Sequence, residues 1–377
     1  MRGRPQRLER LPEQYFGALL ARVSAAAALD GEPLVDLGRG NPETGPPEHV
    51  VAALVKGVGS THAHGYALFR GLPELREALA ARYGAVYGVE LDPVGEVAVV
   101  PGTKTAIVEL ALSLAERGQQ ILLPDPYYPD YPSGAALAGA RLGFVPLERS
   151  ARWAPDFEAA PRDDVAAVYL NYPSNPCAVA APDGAFEAAV AFAHETDAAI
   201  VHDFAYGDLV FDGRERRSFL ATPGAKEVGV EMFSMSKSYG MAGWRLGFVV
   251  GNAEIVERIN LLSDHARVGI FRPIQEAGIA ALAGPQESVA ERAETYRRRR
   301  DRVLDALPFA SPCEGTFYVW LELPDGVTAA SILAEQRVAL SPGEGFGSRG
   351  RGWARLSLAV SDETLELGLG RLTGVLA

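Results

Sequence analysis

The chain has 377 residues, 48% hydrophobic and 22% charged, which indicates a globular protein with enough apolar material for about two domains. Its 36 Lys and Arg residues against 48 Asp and Glu residues give a formal charge of −12, which argues against a general binder of nucleic acid or anionic membranes. The two cysteines, Cys177 and Cys313, lie far apart and outside any CxxC pair, so we expect a reducing compartment.

The N-terminal segment contains an apolar stretch, YFGALLARVSAAAAL, that follows several arginines and loosely imitates a secretion signal. Glu9, Glu13 and Arg22 interrupt that pattern, and we predict an amphipathic helix instead. No run approaches the roughly 18 apolar residues of a membrane span. We therefore expect a cytoplasmic protein.

From about residue 95 to 251, short apolar runs rich in β-branched residues alternate with helical stretches. The runs are EVAVV (96–100), QILLP (120–124), RLGFVPL (141–147), AAVYLNYP (166–173), AAIVHD (198–203), VEMFSMS (230–236) and RLGFVV (245–250). Strands that are apolar throughout and alternate with helices predict a mainly parallel α/β sheet covered on both faces.

After Gly251 the pattern changes to a smaller α+β region. It predicts a long helical region to about Ala283, a helix over 287–307, strands over 315–323 and 353–360, and a terminal helix. We predict that the RRRR run (297–300) is a solvated helix face, because acidic residues surround it. The domain prediction is an N-terminal segment (1–44) joining the small domain, a large domain (45–255), and an interdomain helix with the small C-terminal domain (256–377).

Polar or reactive residues directly follow several predicted strands. They are Gly102-Thr103-Lys104, Asp125, Asn175, Asp203 and Lys237. In such sheets ligands bind beyond the carboxyl ends of the strands, so we expect these residues to converge on one site.

Each of these motifs, taken alone, has an ordinary alternative. The Gly102-Thr103-Lys104 turn suits a phosphate but is neither a P-loop nor a GxGxxG fingerprint, and it also fits a plain strand-to-helix turn. Tyr128, between prolines, fits a stacking platform or a packed turn. Asp203 ends an apolar strand, where a carboxylate needs a cation or hydrogen bonds. Two interpretations fit it: pairing with a cationic heterocycle, or capping of a helix.

The stretch FSMSKSYGMAGWRLGFVVG places Lys237 among serines, a tyrosine and small apolar residues, with Arg245 eight positions later. It also matches the S-x-x-K of penicillin-binding serine hydrolases. Those enzymes need S-D-N and K-T-G motifs further along, which this chain lacks, so that interpretation is rejected. The six histidines show no metal-ligand spacing, and no metal site is expected.

Together these motifs resemble the class I/II aminotransferases, pyridoxal-5′-phosphate enzymes of fold type I, over almost the whole chain. The lysine signature lies in SMSKSYGMAGWRLG, and the motifs YALFRGLPELREALA, PDPYYPDY, NPCA, HDFAY and GTFYVW follow the family's order. The resemblance implies a three-layer fold with a mainly parallel seven-stranded sheet, a smaller α+β domain, and pyridoxal 5′-phosphate as cofactor.

The resemblance also implies a role for each residue around the cofactor ring. Lys237 is the Schiff-base lysine and proton shuttle, and Asp203 pairs with the pyridine nitrogen. Tyr206 and Asn175 hydrogen-bond the ring oxygen, and Tyr128 stacks on the ring. The expected phosphate ligands are the Gly102-Thr103-Lys104 turn, Ser234, Ser236, Arg245, and Tyr66 of the neighbouring subunit in a two-fold homodimer.

For the substrate, the resemblance implies that Arg355 binds the α-carboxylate, with Tyr15, Gly40 and Asn175 around it. Within the family the chain looks closest to the LL-diaminopimelate, N-succinyl-diaminopimelate and alanine-type aminotransferases. It departs from them at Cys177-Ala178, where the family has Thr-Gly. It departs again at His265, where diaminopimelate enzymes have an asparagine, and this argues against LL-diaminopimelate as substrate.

Three functions remain open at this stage. The first is transfer of an amino group from an L-amino acid to a 2-oxo acid, 2-oxoglutarate or pyruvate, by a ping-pong route. The second is a carbon–sulfur β-lyase or decarboxylase on the same fold, because the reaction depends on which Cα bond is aligned with the ring. The third is a ligand-sensing module of the kind joined to DNA-binding domains, which the acidic charge and the short segment before residue 15 disfavour.

Overall fold

The computed structural model describes residues 3–307 and 310–376. The helices are α1 (Gln6–Glu9), α2 (Tyr15–Ala27), α3 (Glu48–Val58), α4 (Pro73–Tyr87), α5 (Thr103–Leu114), α6 (Tyr131–Ala138), α7 (Ala185–Thr196), α8 (Ala225–Val228), α9 (Met235–Ser238), α10 (Ala253–Ala266), α11 (Arg272–Ala283), α12 (Glu287–Ala306), α13 (Ala329–Gln336) and α14 (Asp362–Leu376). The strands are β1 (Val35–Asp36), β2 (Val97–Val100), β3 (Gln120–Asp125), β4 (Arg141–Pro146), β5 (Val165–Asn171), β6 (Ala199–Asp203), β7 (Gly229–Ser234), β8 (Gly247–Gly251), β9 (Tyr318–Glu322), β10 (Val338–Ala339), β11 (Ser341–Pro342) and β12 (Trp353–Ser357).

Seven strands form one central sheet in the order β2-β8-β7-β6-β5-β3-β4, in which β8 runs antiparallel to both of its neighbours. The other pairs are parallel, so the predicted mainly parallel seven-stranded α/β sheet is confirmed. The sequence interpretation misplaced two strand ends. The run over 230–236 ends at Ser234, whose side chain accepts the N–H of Ser236 and starts α9. The last run starts at Gly247, because Arg245 adopts a φ of +56°, which a strand does not allow.

A second, smaller region carries an antiparallel sheet in the order β11-β12-β9 and a parallel pair of β1 with β10. The β1–β10 pair joins the N-terminal segment to the C-terminal part of the chain. This pairing agrees with the prediction that the N-terminal segment joins the small domain. The domain boundaries themselves remain a prediction. In the described part of the chain, no helix has both the length and the apolar character needed to cross a membrane.

One prediction about the C-terminal half is refined and one is wrong. The long helical region after Gly251 reaches Ala283 as expected but consists of two helices, α10 and α11, because the chain breaks over 267–271 and Pro273 opens the second helix. The RRRR run is not wholly solvated. Arg299 and Arg300 are buried, and their guanidinium groups pair with Asp362 and Asp212, respectively, at 2.7 Å. These pairs tie α12 to the surrounding segments.

A buried carboxylate holds the centre of the sheet together. Glu231 of β7 is fully buried and accepts hydrogen bonds from Tyr83 Oη at 2.8 Å, Ser218 Oγ at 2.9 Å and the Phe219 N–H at 2.9 Å. His202 Nδ1 of β6 lies 2.7 Å from Oε2 of Glu231, the oxygen that also accepts from the Phe219 N–H. All of these groups depend on one acceptor, since a buried polar group without a partner is costly.

We predict that Glu231→Met lowers the free energy of unfolding by about 3–5 kcal/mol, because buried donors lose their charged acceptor. Urea unfolding followed by circular dichroism measures this. Glu335→Met, on an exposed position of α13, is the matched control and is expected to stay within about 0.5 kcal/mol of wild type. Equal stability of the two variants would contradict the role of Glu231.

Candidate active site

A cavity of about 590 Å³ lies at the carboxyl ends of the central strands. The predicted site residues that line it are Gly40, Thr103, Lys104, Tyr128, Asn175, Asp203, Tyr206, Ser234, Ser236, Lys237 and Arg245. They come from segments far apart in sequence. The sheet brings them together because β2, β5, β6 and β7 all point their carboxyl ends at this edge.

Lys237, on α9, places its amine inside the cavity. Its Nζ donates to the Gly40 carbonyl at 3.3 Å and lies 5.1 Å from the centre of the Phe317 ring. Burial, followed by the positive charges of Arg355 and Arg245, lowers the pKa of Lys237 to about 8, and Asp203 opposes this only in part. The amine is therefore half deprotonated at about pH 8, so a much larger share of it is uncharged near neutral pH than in an ordinary lysine, as a nucleophile or a base requires.

Asp203 ends β6 at the floor of the cavity. Its carboxylate accepts from Tyr131 Oη at 2.8 Å and from the Ala205 N–H at 3.2 Å. Burial raises the pKa of Asp203, although those two hydrogen bonds act in the opposite direction. Among the described residues it has no ion-pair partner. A cationic ring nitrogen at this point would favour the charged carboxylate, which fits the expected pyridine ring.

The neighbouring edge of the cavity suits a phosphate. The Arg245 guanidinium packs against Gly102, where a Cβ would collide with it, and Gly102 has a φ of +85° that favours glycine. Arg245 donates to the Ala242 carbonyl at 2.9 Å and pairs with no described carboxylate. With the N-terminus of α5 and the hydroxyls of Ser234 and Ser236 beside it, this edge offers the donor set that a dianion needs. The residues present therefore fit pyridoxal 5′-phosphate.

Arg355 lies behind the cavity wall with its side chain fully buried. Its guanidinium donates to Asn175 Oδ1 at 2.7 Å and to Ser341 Oγ at 3.2 Å, and it lies 3.9 Å from the centre of the Tyr318 ring. The Nε atom has no partner, and no described carboxylate pairs with this side chain. A buried guanidinium without an anion fits a receptor for a substrate carboxylate.

Tyr206 is held from behind by a buried ion pair. Asp208, two residues later, lies 2.6 Å from Arg82 Nη2 of α4, and both side chains are buried. Tyr87 Oη donates to the same carboxylate at 3.2 Å. These contacts fix the loop after β6, so the Tyr206 ring stays at the cavity with its hydroxyl 3.5 Å from that of Tyr318.

Besides Arg355 behind the wall, four residues singled out from the sequence lie outside the cavity lining. One is Asp125, whose carboxylate accepts from Ser348 Oγ at 2.5 Å and from the Arg349 N–H at 3.1 Å, so it does not converge on the site as expected. Tyr15 donates its hydroxyl to the Pro342 carbonyl at 2.7 Å, and its neighbour Phe16 lines the cavity instead. Tyr66 is 94% exposed, and His265 is exposed at the end of α10. The departure at Cys177-Ala178 leaves Ala178 with a φ of +59°, a conformation that glycine adopts more readily.

Sequence reasoning missed several residues that shape the cavity. Tyr131 bonds Asp203, and Asn171 joins Asp203 to Asn175 by donating to one backbone and accepting from the other. Tyr318 covers Arg355. The motifs PDPYYPDY and GTFYVW contain Tyr131 and Tyr318, so buried tyrosines within them were the available signal.

The sequence profile of the family described as "Aminotransferase class I and II" matches residues 32–372. The chain is 42% identical over 371 residues to the L-glutamine–4-(methylsulfanyl)-2-oxobutanoate aminotransferase of Bacillus subtilis (strain 168), covering 95% of this chain and 93% of that protein. It is 37% identical over 382 residues to the LL-diaminopimelate aminotransferase of Moorella thermoacetica, covering 98% of each.

Solved structures agree with these sequence matches. The substrate-bound BacF structure from Bacillus subtilis superimposes with a TM-score of 0.92 at 36% identity, over 99% of this chain and 98% of that one. The fold is therefore that of the fold type I aminotransferases, as the sequence predicts.

We predict that the Lys237 amine of the cofactor-free protein becomes reactive to acetic anhydride around pH 8, because its pKa is lowered to about 8. Below that pH the amine is protonated and unreactive, and above it the amine is free. Competitive labelling read by peptide mass spectrometry measures the midpoint. The same peptide in the denatured protein is the control, with a midpoint near a lysine's usual pKa of about 10.4. A midpoint that denaturation leaves unchanged would contradict the burial effect.

Proposed function

This chain belongs to the class I and II aminotransferases, which are pyridoxal-5′-phosphate enzymes, and we propose that it transfers amino groups with the cavity residues described above. It moves an amino group from an L-amino acid to a 2-oxo acid, with 2-oxoglutarate or pyruvate as the expected acceptor. One observation supports this use of the site most strongly. The pKa of the buried Lys237 amine is lowered to about 8, and neither of the two arginines whose charges contribute to this has a described carboxylate partner.

When bound, pyridoxal 5′-phosphate supplies an aldehyde for the amine and a conjugated ring that withdraws electrons from Cα. In our proposal Arg245, Ser234, Ser236 and the N-terminus of α5 hold the phosphate. Asp203 holds the ring nitrogen in its protonated form, supported by the hydrogen bond from Tyr131. Tyr206 and Asn175 hydrogen-bond the ring oxygen, and Tyr128 lies against the ring.

Lys237 moves the proton in this proposal. Its Nζ takes the proton from the substrate Cα and returns it on the cofactor side, which requires a free amine at working pH. Two features of the chain favour that state, namely burial and the nearby positive charges of Arg355 and Arg245. Arg355 fixes the substrate by its α-carboxylate, and the Gly40 backbone lies beside the amine.

The relatives favour amino-group transfer over the carbon–sulfur β-lyase alternative, because their names describe aminotransferases. A product assay separates the two reactions. Transfer produces a new amino acid from a 2-oxo acid in stoichiometric amounts, whereas a lyase releases pyruvate and a thiol from cystathionine.

We predict that Lys237→Ala lowers amino-group transfer by about 10⁴-fold while the protein stays folded, because the proton shuttle is lost. A coupled assay of both products, with circular dichroism as the fold check, measures this. Lys226→Ala is the matched control, since Lys226 pairs with Glu96 away from the cavity. Full activity of Lys237→Ala would refute the assignment.

A homodimer with shared sites is the second part of the proposal. An apolar face groups α3, the segment over 61–70 and the adjoining ends of α10 and α11. Its exposed members are Val51, Val55, Val58, Tyr66, Leu68, Phe69, Leu261, Val268 and Phe271. Exposed apolar patches of this kind mark interaction sites, and we propose that a second copy covers this one and receives Tyr66 at its phosphate.

Hybrid dimers test the sharing. We predict that Tyr66→Ala weakens cofactor binding by about ten- to a hundredfold, because a hydrogen bond to a charged group is lost. A hybrid of Tyr66→Ala with Lys237→Ala, purified through two different tags, then regains about half of the wild-type sites at limiting cofactor.

The control hybrid combines wild type with a chain carrying both substitutions. It has no intact site if Tyr66 serves the partner, and one intact site if Tyr66 serves its own chain. Recovery in the control hybrid only, or a monomeric mass, would contradict the shared site.

We also propose a cytoplasmic location. Both cysteines are buried free thiols, and burial raises the pKa of each, which suits a chain that does not depend on disulfides.

A further inference from the structure

The charges around the cavity bear on which substrate side chain it accepts. The cationic side chains that line or border it are Arg39, Lys104, Lys237, Arg245 and Arg355. Of these, Lys237, Arg245 and Arg355 have no described carboxylate partner, and the proposed function uses them for the cofactor aldehyde, the phosphate and the α-carboxylate, respectively. A carboxylate on the substrate side chain would need a further free cation.

Lys104 is the best placed candidate, but its charge is already neutralised. Its Nζ lies 2.8 Å from Asp130 Oδ2, and the Asp130 side chain is 8% exposed. Asp130 also accepts from Tyr128 Oη at 2.7 Å and from Gln14 Nε2 at 3.2 Å. Taking Lys104 away from this carboxylate would leave a buried negative charge beside the incoming anion.

The remaining surface near the substrate is apolar or paired. Phe16, Leu19 and Leu20 of α2 line the cavity, and the Phe16 ring lies 5.8 Å from that of Tyr128 and 5.6 Å from the Arg355 guanidinium. Arg39 is 62% exposed and lies 3.6 Å from Asp36. Each lining cation of the described chain thus has either a carboxylate neighbour or a role in the proposed function.

We propose that Asp130, by neutralising Lys104, makes the cavity selective for amino acids and 2-oxo acids with neutral side chains. This inference rests on the proposed function, because it takes Arg355 and Arg245 to be occupied by the α-carboxylate and the phosphate. It favours pyruvate over 2-oxoglutarate as acceptor. Asp130 is here a specificity-determining residue that acts through Lys104 and not a catalytic one.

L-glutamine and L-glutamate form the sharpest pair of probes, because they share one shape and differ in the side-chain charge. For the wild-type holoenzyme we expect kcat/KM to be at least about tenfold higher with glutamine. In Asp130→Asn the amide keeps an acceptor for Tyr128 while Lys104 is released. The glutamine-to-glutamate ratio is then expected to fall by at least about tenfold.

Two further variants separate charge from structure. In the double variant Asp130→Asn/Lys104→Met the freed cation is absent, so the ratio is expected to rise again towards the wild-type value. Glu187→Gln, which removes a carboxylate from the exposed pair with Arg217, is the control and should leave the ratio unchanged. A glutamine-to-glutamate ratio near one in wild type, or an unchanged ratio in Asp130→Asn, would overturn the inference. If Asp130→Asn does not fold, the wild-type ratio alone is the test.

A binding measurement keeps this inference separate from the proposed function. Pentanoate and glutarate have equal chain lengths and differ by one carboxylate, and calorimetry on the holoenzyme gives the affinity of each without turnover. We expect pentanoate to bind at least as tightly as glutarate in wild type, and glutarate to gain about tenfold in Asp130→Asn. Tighter glutarate binding in wild type would overturn the selectivity, whereas absence of amino transfer from every donor would overturn the proposed function alone.

Discussion

The site depends on lowering the pKa of one buried lysine amine. Lys237 is withdrawn from water and lies near Arg355 and Arg245, and these effects together outweigh the opposing pull of Asp203. Ion pairs between these two arginines and carboxylates of the chain would remove the arginines' part of that effect, while burial, the largest cause, would remain. Because the two arginines have no described carboxylate partners, they can bind anionic ligands. For the same reason their charges lower the pKa of Lys237.

The buried charges in the rest of the fold differ from those at the site. Away from the ligand positions, buried charges are paired or hydrogen-bonded, as in the Arg82–Asp208 pair and the Glu231 cluster. These groups fix the end of β6, which carries Asp203, and β7, which leads directly into α9 with Lys237. The rigid scaffold thus tolerates unpaired charge only where a cofactor or substrate would neutralise it.

How far the sequence predicts this depends on whether a feature is local. Apolar runs predict the central strands, and strand ends predict Asp203, Asn175 and Lys237 at one edge. The break between α10 and α11 was missed although Pro273 is a local signal for it. The burial of Arg299 was missed because it follows from contacts between distant segments. The pairing of Lys104 with Asp130 depends likewise on how closely the N-termini of α5 and α6 approach each other, which neither motif reveals.

The most direct test of the account is reduction of the holoenzyme with borohydride, followed by digestion and mass spectrometry of the peptides. The account predicts a phosphopyridoxyl group on the peptide that contains Lys237, at about one group per chain, and none on Lys104 or Lys226. A label on another lysine, or none in a protein that retains its cofactor, would contradict the assignment on which the whole site rests.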